Sequence, residues 1–238
     1  MLEMLFFGGK KLVGTGPGPA TLLNYYNPSP GYETGYYGTI PPSQFIDTAT
    51  LRSLTGFNNG TVYNSGVTWA KFVVDGKILF IPTATMINSC SWEQLYAKGM
   101  VYGIAGPGKY PYPATPLVPQ NKTITFLGYK FLVRLPKCGL ADPLAYPPNA
   151  IEKTSEWGRT MFHIASETTA AQTESGEKWA SINLAVSSTL IQCQETQVNV
   201  TSNNIGPYSA VTKSGNTNKN YTASNMHWRP VLELIGSA

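Results

Sequence analysis

A single dipeptide, Asp75-Gly76, constrains the fold of this chain more than any other feature of its sequence. It separates two apolar runs, Trp69–Val74 and Lys77–Pro82, that are rich in β-branched and aromatic residues. A two-residue type I′ turn needs positive φ at both central positions, and Asp-Gly adopts this turn readily. The sequence therefore predicts a β-hairpin over residues 69–82.

A short helix is predicted directly after this hairpin. Ser91 can cap its N-terminus, Gln94 stands where a capping box requires it, and Gly99 can end the helix. We interpret the hairpin and the helix together as a structural nucleus that carries no obvious chemistry. The helix would present three apolar side chains, Trp92, Leu95 and Tyr96.

Composition favours strands and long loops over long helices. Charged residues make up only 13% of the 238 residues, and the chain holds 23 glycines and 18 prolines, which mark many turns. The net charge of +4 comes from basic residues that stand mostly singly, so no nucleic-acid footprint is predicted. No apolar run approaches the roughly 20 residues of a membrane-spanning helix, and no signal peptide is predicted at the N-terminus.

Two further helices are predicted from their end signals. The first lies within Ser43–Leu54 and is ended by Gly56, and the second covers Glu152–Ile164 with Thr154 or Ser155 as its cap. Their buried faces would carry Ile46, Thr50 and Leu54 in the first helix and Trp157, Met161 and Ile164 in the second.

Strands are predicted in four more stretches of the chain. Thr123–Leu135 is typical of a strand pair that turns at Gly128. Lys178–Val186 and Thr189–Val200 are predicted as strands of a sheet, and the alternating stretch Trp228–Ile235 is predicted to close it.

Residues 1–42 have the composition of an extended arm. Glycine or proline recurs every few positions, so we expect this segment to lie over a neighbour and to build no core of its own. Tyrosine buries a large area at low rotamer cost, which suits an interface between subunits. The predicted assembly contacts are Tyr25, Tyr26, Tyr32, Tyr36 and Tyr37.

Two polar or proline-rich stretches are predicted to be exposed loops that could contact a ligand. They are Tyr110–Gln120 and the Asn-rich stretch Thr201–Ser224. For Thr201–Asn220 a variable exposed connection is the favoured interpretation, and a glycan-binding surface is the alternative. The candidate contact residues are Tyr110, Tyr112, Asn203, Asn204, Tyr208, Asn216 and Tyr221.

The three cysteines, Cys90, Cys138 and Cys193, are far apart in the sequence and form no C-x-x-C motif. We interpret them as buried free thiols, with one disulfide as the alternative. A zinc site is not expected, because His163 and His227 are the only histidines.

No catalytic pattern stands out. A pair formed by Cys138 and His163 stays open, but a histidine on a short helix is usually packed or exposed. Glu152 and Glu156 are predicted to solvate one helix face, and an acid–base pair is the less favoured alternative. We therefore predict no enzyme activity, no cofactor and no metal, with a glycan hydrolase as the enzymatic alternative.

Taken in order, eight segments of the chain resemble a group of structural proteins of tailed bacteriophages. The group is recognised by its strand and helix scaffold, so the resemblance implies a part of a virion and not a reaction. The segments are PGPATL from Pro17, GYYGTIPPSQFI from Gly35, WAKFVVDGKILFIP from Trp69, SWEQLYAKGMVYG from Ser91, YKFLVRLPKCG from Tyr129, SEWGRTMFHI from Ser155, IQCQET from Ile191 and WRPVLELI from Trp228.

The layout also resembles the C-type-lectin-type fold of formylglycine-generating enzymes and phage tropism proteins. The 69–82 hairpin matches the early hairpin of that fold, VRLP and SEWGRTM match its R-L-P-T-E-A-E-W helix segment, and WRPVLEL matches its terminal strand. The calcium-binding E-P-N, Q-P-D and W-N-D signatures are absent, and the enzyme's copper-binding cysteine pair has no counterpart. The resemblance thus implies a scaffold without calcium-dependent sugar binding or oxidase activity.

Together the resemblances imply a β-rich α+β fold, with a C-type-lectin-like domain over residues 43–238 behind the arm of residues 1–42. They imply a virion protein made in the host bacterial cytoplasm, located in the tail, baseplate or fibre or decorating the capsid. Its partners would be other virion proteins and further copies of itself, as a trimer or hexamer. The alternative is a receptor-binding module that recognises a host-surface glycan or protein.

Overall fold

The fold of the chain is described from a computed structural model, which covers residues 14–109, 116–145, 152–164, 190–208 and 213–238. The predicted strand Lys178–Val186 lies outside these ranges. Within them the protein is rich in strands and its helices are short, which confirms the β-rich α+β class. The strands are β1 (Asn24–Tyr26), β2 (Thr34–Ile40), β3 (Thr61–Val62), β4 (Trp69–Val74), β5 (Lys77–Pro82), β6 (Ile87–Asn88), β7 (Thr123–Phe126), β8 (Tyr129–Arg134), β9 (Leu190–Ile191), β10 (Thr196–Gln197), β11 (Val200–Tyr208), β12 (Lys213–Asn218), β13 (Met226–Trp228) and β14 (Val231–Ser237).

An antiparallel sheet with strand order β1-β2-β4-β5-β14-β8-β7 forms the frame. The predicted hairpin is confirmed, since β4 and β5 pair from Trp69 opposite Pro82 to Val74 opposite Lys77. Asp75 and Gly76 have φ of 49° and 77°, as a type I′ turn requires. The second predicted hairpin is also confirmed, with Leu127 and Gly128 at its turn.

Both faces of this sheet are covered by other parts of the chain. One face of β4 packs with Trp228, Trp92 and Leu95 in one hydrophobic cluster. Its other face packs with Trp157 and Met161 in a second cluster. This double cover explains why β4 is buried at every position and does not alternate between buried and exposed residues.

The second sheet has the order β10-β11-β9-β13-β6-β3, with β12 added on β11. Two predictions made from the sequence differ from the structure in this sheet. The stretch Trp228–Ile235 is not one strand, because Arg229 and Pro230 separate β13 from β14 and each strand joins a different sheet. The stretch Thr201–Ser224 is not simply a loop, because β11 and β12 pair over Asn203–Tyr208.

The helices are α1 (Thr48–Thr55), α2 (Trp92–Tyr96), α3 (Glu156–Arg159) and α4 (Met161–Ile164). The predicted caps of α2 and α3 are confirmed: Ser91 forms the capping box with Gln94, and Ser155 caps α3. The predicted face of the first helix was wrong, because α1 begins after Asp47 and ends at Gly56. Its buried residues are therefore Thr48, Leu51 and Thr55.

The described part of the predicted arm, residues 14–42, contributes two strands to the frame sheet and is not separate from it. β1 and β2 extend the frame sheet beside β4. Ahead of them, the buried Lys71 of β4 donates from Nζ to the carbonyl oxygens of Pro17, at 3.0 Å, and Pro19, at 2.5 Å. The Gly- and Pro-rich segment thus lies over its own sheet. None of the described helices is long and apolar enough to cross a membrane.

Candidate functional site

A cluster of buried charges lies where β8, β14 and α3 meet at the end of the 69–82 hairpin. Arg134 is 3% exposed and donates from Nη1 and Nη2 to the two carboxylate oxygens of Glu156, at 2.8 and 2.7 Å. Its Nε donates to Glu233 at 3.1 Å, and Lys77 Nζ approaches the other oxygen of Glu233 at 2.7 Å. One guanidinium therefore holds together two strands and a helix.

Pairing decides the ionisation of this cluster. Burial disfavours the charged form of Glu156, but the guanidinium of Arg134 outweighs burial and lowers the pKa of the carboxyl. Burial likewise acts to lower the pKa of Arg134, and the two carboxylates Glu156 and Glu233 raise it overall. Arg134 and Glu156 are thus both charged at neutral pH, and an ionised Glu156 has no proton to give as a general acid. The prediction that Glu156 solvates a helix face was wrong, because it is the buried partner of Arg134.

A second ion pair borders the same region. Arg159 at the end of α3 donates from Nη1 and Nη2 to the two oxygens of Asp75 at the hairpin turn, at 2.8 and 2.7 Å. It also donates to the carbonyl oxygens of Glu33 and Thr154, and its guanidinium lies 5.3 Å from the ring centroid of Tyr32. The hairpin turn, α3 and the segment before β2 are therefore fixed to one another.

Between the two ion pairs lies a cleft of about 260 Å³. Most of the charged groups that line the cleft are already ion-paired with one another, so few of them are available to bind a ligand. Lys77 and Lys137 are the exposed cations at this cleft. The other charged residues that line it are Asp75, Arg134, Glu156 and Arg159.

The predicted assembly tyrosines separate into exposed and internal residues. Tyr36 and Tyr37 are 3% and 1% exposed and belong to the core, because β2 is an inner strand. Tyr26 stacks on His163 with ring centroids 3.7 Å apart, and Tyr32 contacts Arg159. Only Tyr25, on the edge strand β1, is exposed by more than a third of its surface.

The predicted ligand-contact residues also separate. Tyr110 and Tyr112 lie outside the described residues. Asn204 is fully buried in β11, which removes it from any contact surface. Asn203 and Asn216 are half-buried and both donate to the side-chain oxygen of Gln197.

Tyr208 is the last residue of β11 and pairs in register with Lys213. Tyr221 is 48% exposed and follows the exposed residues Asn218 and Asn220, with Lys219 buried between these two. Among the predicted contact residues whose side chains the structure describes, Tyr221 is thus the most exposed.

Two of the three cysteines are bonded to each other, and the buried carboxyl group of Glu195 contacts one of them. Cys138 and Cys193 form a disulfide, and Cys90 is a buried free thiol, so the favoured prediction of three free thiols was wrong for this pair. Burial raises the pKa of Glu195, whose carboxylate accepts the backbone N–H of Cys138, to about 8. Burial lowers the pKa of Lys219 to about 8, and its ammonium lies 4.3 Å from the ring centroid of Trp92.

These charged groups were missed in the sequence, although a signal was present. Lys71 and Glu233 each stand alone among apolar strand residues, in WAKFVV and VLELI, and Arg134 ends the strand YKFLVR after the apolar run FLV. A charged residue in a buried strand must find a partner, and its presence there predicts a buried pair. The sequence does not reveal which partner is chosen, since Arg134 and Glu233 are 99 residues apart.

No protein-family profile, curated protein or solved structure matches this chain.

Proposed function

We propose that this chain is a structural component of a tailed-phage virion, with a C-type-lectin-like frame that displays loops on the tail, baseplate, fibre or capsid surface. One observation supports this most directly. VRLP and SEWGRTM, which carry the resemblance, meet through the buried bidentate pair of Arg134 and Glu156. The charged pair that most resembles a catalytic cluster, Arg134 and Glu156, thus holds two elements of the frame together.

Assembly is proposed to use the outer edge of β1, which is the end of the frame sheet among the described strands. Leu23 and Tyr25 stand two residues apart on one side of this edge segment, and they are 62% and 36% exposed. An exposed strand edge with apolar side chains is a ready site for pairing with a second copy of the chain. We propose that this edge forms the homo-oligomer, as a trimer or hexamer.

The location in a virion is tested on the phage whose genome encodes the chain. Particles purified through a density gradient should contain the chain at a copy number that is a multiple of three or six, measured by quantitative mass spectrometry. Imaging of the same particles should then place it in the head or the tail. Abundant chain in the lysate together with its absence from the purified particles would contradict the proposal.

The assembly edge is tested separately with purified protein. Leu23→Asp should shift the mass measured by light scattering from the oligomer toward the monomer. Leu117→Asp serves as the matched control, because Leu117 is 65% exposed and lies outside the β1 segment. Equal masses for wild type and Leu23→Asp would exclude this edge as the interface.

A receptor-binding module for a host-surface glycan or protein is the second candidate. The exposed group Asn218, Asn220 and Tyr221 favours it, since an aromatic ring beside amide side chains can stack on a sugar and hydrogen-bond to it. Labelled protein should then bind host cells, and Tyr221→Ala should abolish the binding while Leu127→Ala, at the exposed turn between β7 and β8, retains it. Unchanged binding by Tyr221→Ala would exclude this surface.

A further inference from the structure

Three potential metal ligands are gathered in the interior of the protein. Cys138 follows β8, Cys193 lies between β9 and β10, and Glu195 is two residues further along the chain. One ligand atom from each, the two Sγ atoms and a carboxylate oxygen, lie within 4.8 Å of one another. All three side chains are buried, with exposures of 6%, 0% and 3%.

Glu195 is a buried carboxylate without a counter-cation among the described residues. Both of its oxygens accept the backbone N–H of Cys138, each at 3.1 Å, and no Lys, Arg or His in the described ranges forms a salt bridge with it. A buried charge is costly unless it is paired or coordinates a metal. The amide contacts orient the carboxyl group but supply no positive charge, and without a cation burial raises its pKa and favours its protonated form.

We propose that, once the disulfide is reduced, Cys138, Cys193 and Glu195 bind a divalent metal ion of the zinc class. Two thiolates and one carboxylate form a donor set that Zn²⁺ accepts, and thiolates select against Mg²⁺ and Ca²⁺. At bond lengths of about 2.0–2.3 Å, the ligand atoms of a tetrahedral zinc ion lie roughly 3.5–3.8 Å apart. The two Sγ atoms therefore move apart once their bond is reduced, which side-chain rotations achieve. The Cα atoms of the cysteines are 6.2 Å apart, so little backbone movement is needed.

The reaction that prepares the site is a simple exchange. Two equivalents of a thiol reductant transfer two electrons to the Cys138–Cys193 bond, which yields two cysteine thiols and one oxidised reductant disulfide. Binding of Zn²⁺ then releases the two thiol protons and the carboxyl proton of Glu195, so the ion with its two thiolates and one carboxylate carries one net negative charge. A fourth ligand, such as water, completes the tetrahedron. The inference rests on these residues alone and is independent of a role in a virion.

The experiment measures zinc binding to the full-length wild-type protein in both redox states. Protein reduced with a non-chelating phosphine should bind one Zn²⁺ per chain in competition with a chromophoric chelator, and the oxidised protein should bind none. Cobalt added to the reduced protein should give a thiolate-to-metal charge-transfer band. Less than a tenth of an equivalent of zinc in the reduced protein would overturn the proposal.

Variants identify the ligands. Cys138→Ser and Cys193→Ser should each remove binding, and Glu195→Gln should weaken it at least tenfold. Cys90→Ala is the matched control and should retain full binding, because Cys90 is buried outside this cluster. Loss of binding in Cys90→Ala together with retention in Cys138→Ser would overturn the assignment.

A measurement on the wild-type protein tests the same site without depending on the folding of any variant. Zinc should slow alkylation of Cys138 and Cys193 in the reduced protein, with each position measured by peptide mass spectrometry. Equal alkylation rates at these two positions with and without zinc would also contradict the proposal.

Discussion

Arg134 connects three elements of the fold, β8, β14 and α3, through one buried side chain. Its guanidinium makes four hydrogen bonds, to Glu156 twice, to Glu233 and to the carbonyl oxygen of Leu135. A buried ion pair contributes little net stability when it is compared with apolar residues of the same volume. Removal of one partner, however, leaves the charge of the other unpaired in the core and is strongly destabilising. The network therefore specifies how the elements meet more than it adds to the free energy of unfolding.

Glu156→Gln should lower the free energy of unfolding by about 3–5 kcal/mol, because Arg134 keeps its buried charge while it loses its bidentate partner. Lys77→Met is the matched comparison, since Lys77 belongs to the same network but its side chain is 58% exposed. That change should cost no more than about 1 kcal/mol. Urea denaturation of both variants measures the difference, and equal losses would contradict a buried-charge mechanism.

His227 should make the protein sensitive to mild acid. It is 1% exposed, its Nδ1 lies 3.0 Å from Thr85 Oγ1, and burial lowers its pKa to about 4. The folded state therefore holds a neutral ring that the unfolded chain protonates near pH 6.5. A depressed pKa gives stability that is fully present above about 6.5 and is lost as the pH falls toward 4.

Between pH 7 and pH 5 this residue should cost at most about 2 kcal/mol of unfolding free energy. Other groups titrate in the same range, so the test is the difference between wild type and His227→Gln. Denaturation at the two pH values should show a smaller loss in the variant. Parallel losses in both proteins would show that His227 does not contribute.

At the scale of the element, local signals set where α2 begins. Ser91 accepts the backbone N–H of Gln94, and the side chain of Gln94 accepts the N–H of Ser91, at 3.1 and 3.0 Å. The helix has only five residues, so it depends on this cap and on the burial of its apolar side chains. Both conditions are visible in the sequence.

Ser91→Ala should lower the free energy of unfolding by about 1 kcal/mol, since it removes the acceptor for an N–H of the first turn. Ser53→Ala is the control, because Ser53 is an exposed residue inside α1 and caps nothing there. Thermal denaturation should show a lower midpoint only for Ser91→Ala. An equal shift in both variants would mean that the capping box does not matter.

At the scale of the whole molecule, the two sheets are connected by the final segment of the chain. β13 pairs with β6 and β9 in one sheet, and β14 then enters the frame sheet between β5 and β8. The N-terminal segment completes the other side of that frame through β1 and β2. Distant parts of the sequence therefore close one structure.

Deletion of residues 1–42 should leave a protein that does not fold, contrary to what an independent arm predicts. The deletion removes β1 and β2, exposes β4 as an edge, and takes Tyr37 and Ile40 from the core. Deletion of residues 1–13 is the comparison, because it keeps the whole described segment that begins at Gly14. Circular dichroism should show native structure for the shorter deletion only, and a folded product of the longer one would contradict this view.

The predictable parts of the fold rest on local physical rules. Turn geometry and helix caps depend on backbone torsions and on hydrogen-bond donors a few residues away. The signals of this local kind are Asp75-Gly76, Leu127-Gly128 and Ser91. The helix face of α1 was mispredicted because one cap residue, Asp47, shifts the start of the helix and thereby the register of its buried side.

The sequence by itself determined the hairpins, the capped helices and the presence of a large apolar core. Only the tertiary structure decided that Tyr36 and Tyr37 are internal, that Cys138 meets Cys193, and which carboxylates pair with Arg134. The reason is physical: local geometry is encoded by neighbours in the chain. A buried charge or thiol, in contrast, takes whichever distant partner the packing of the sheets brings within a few ångströms.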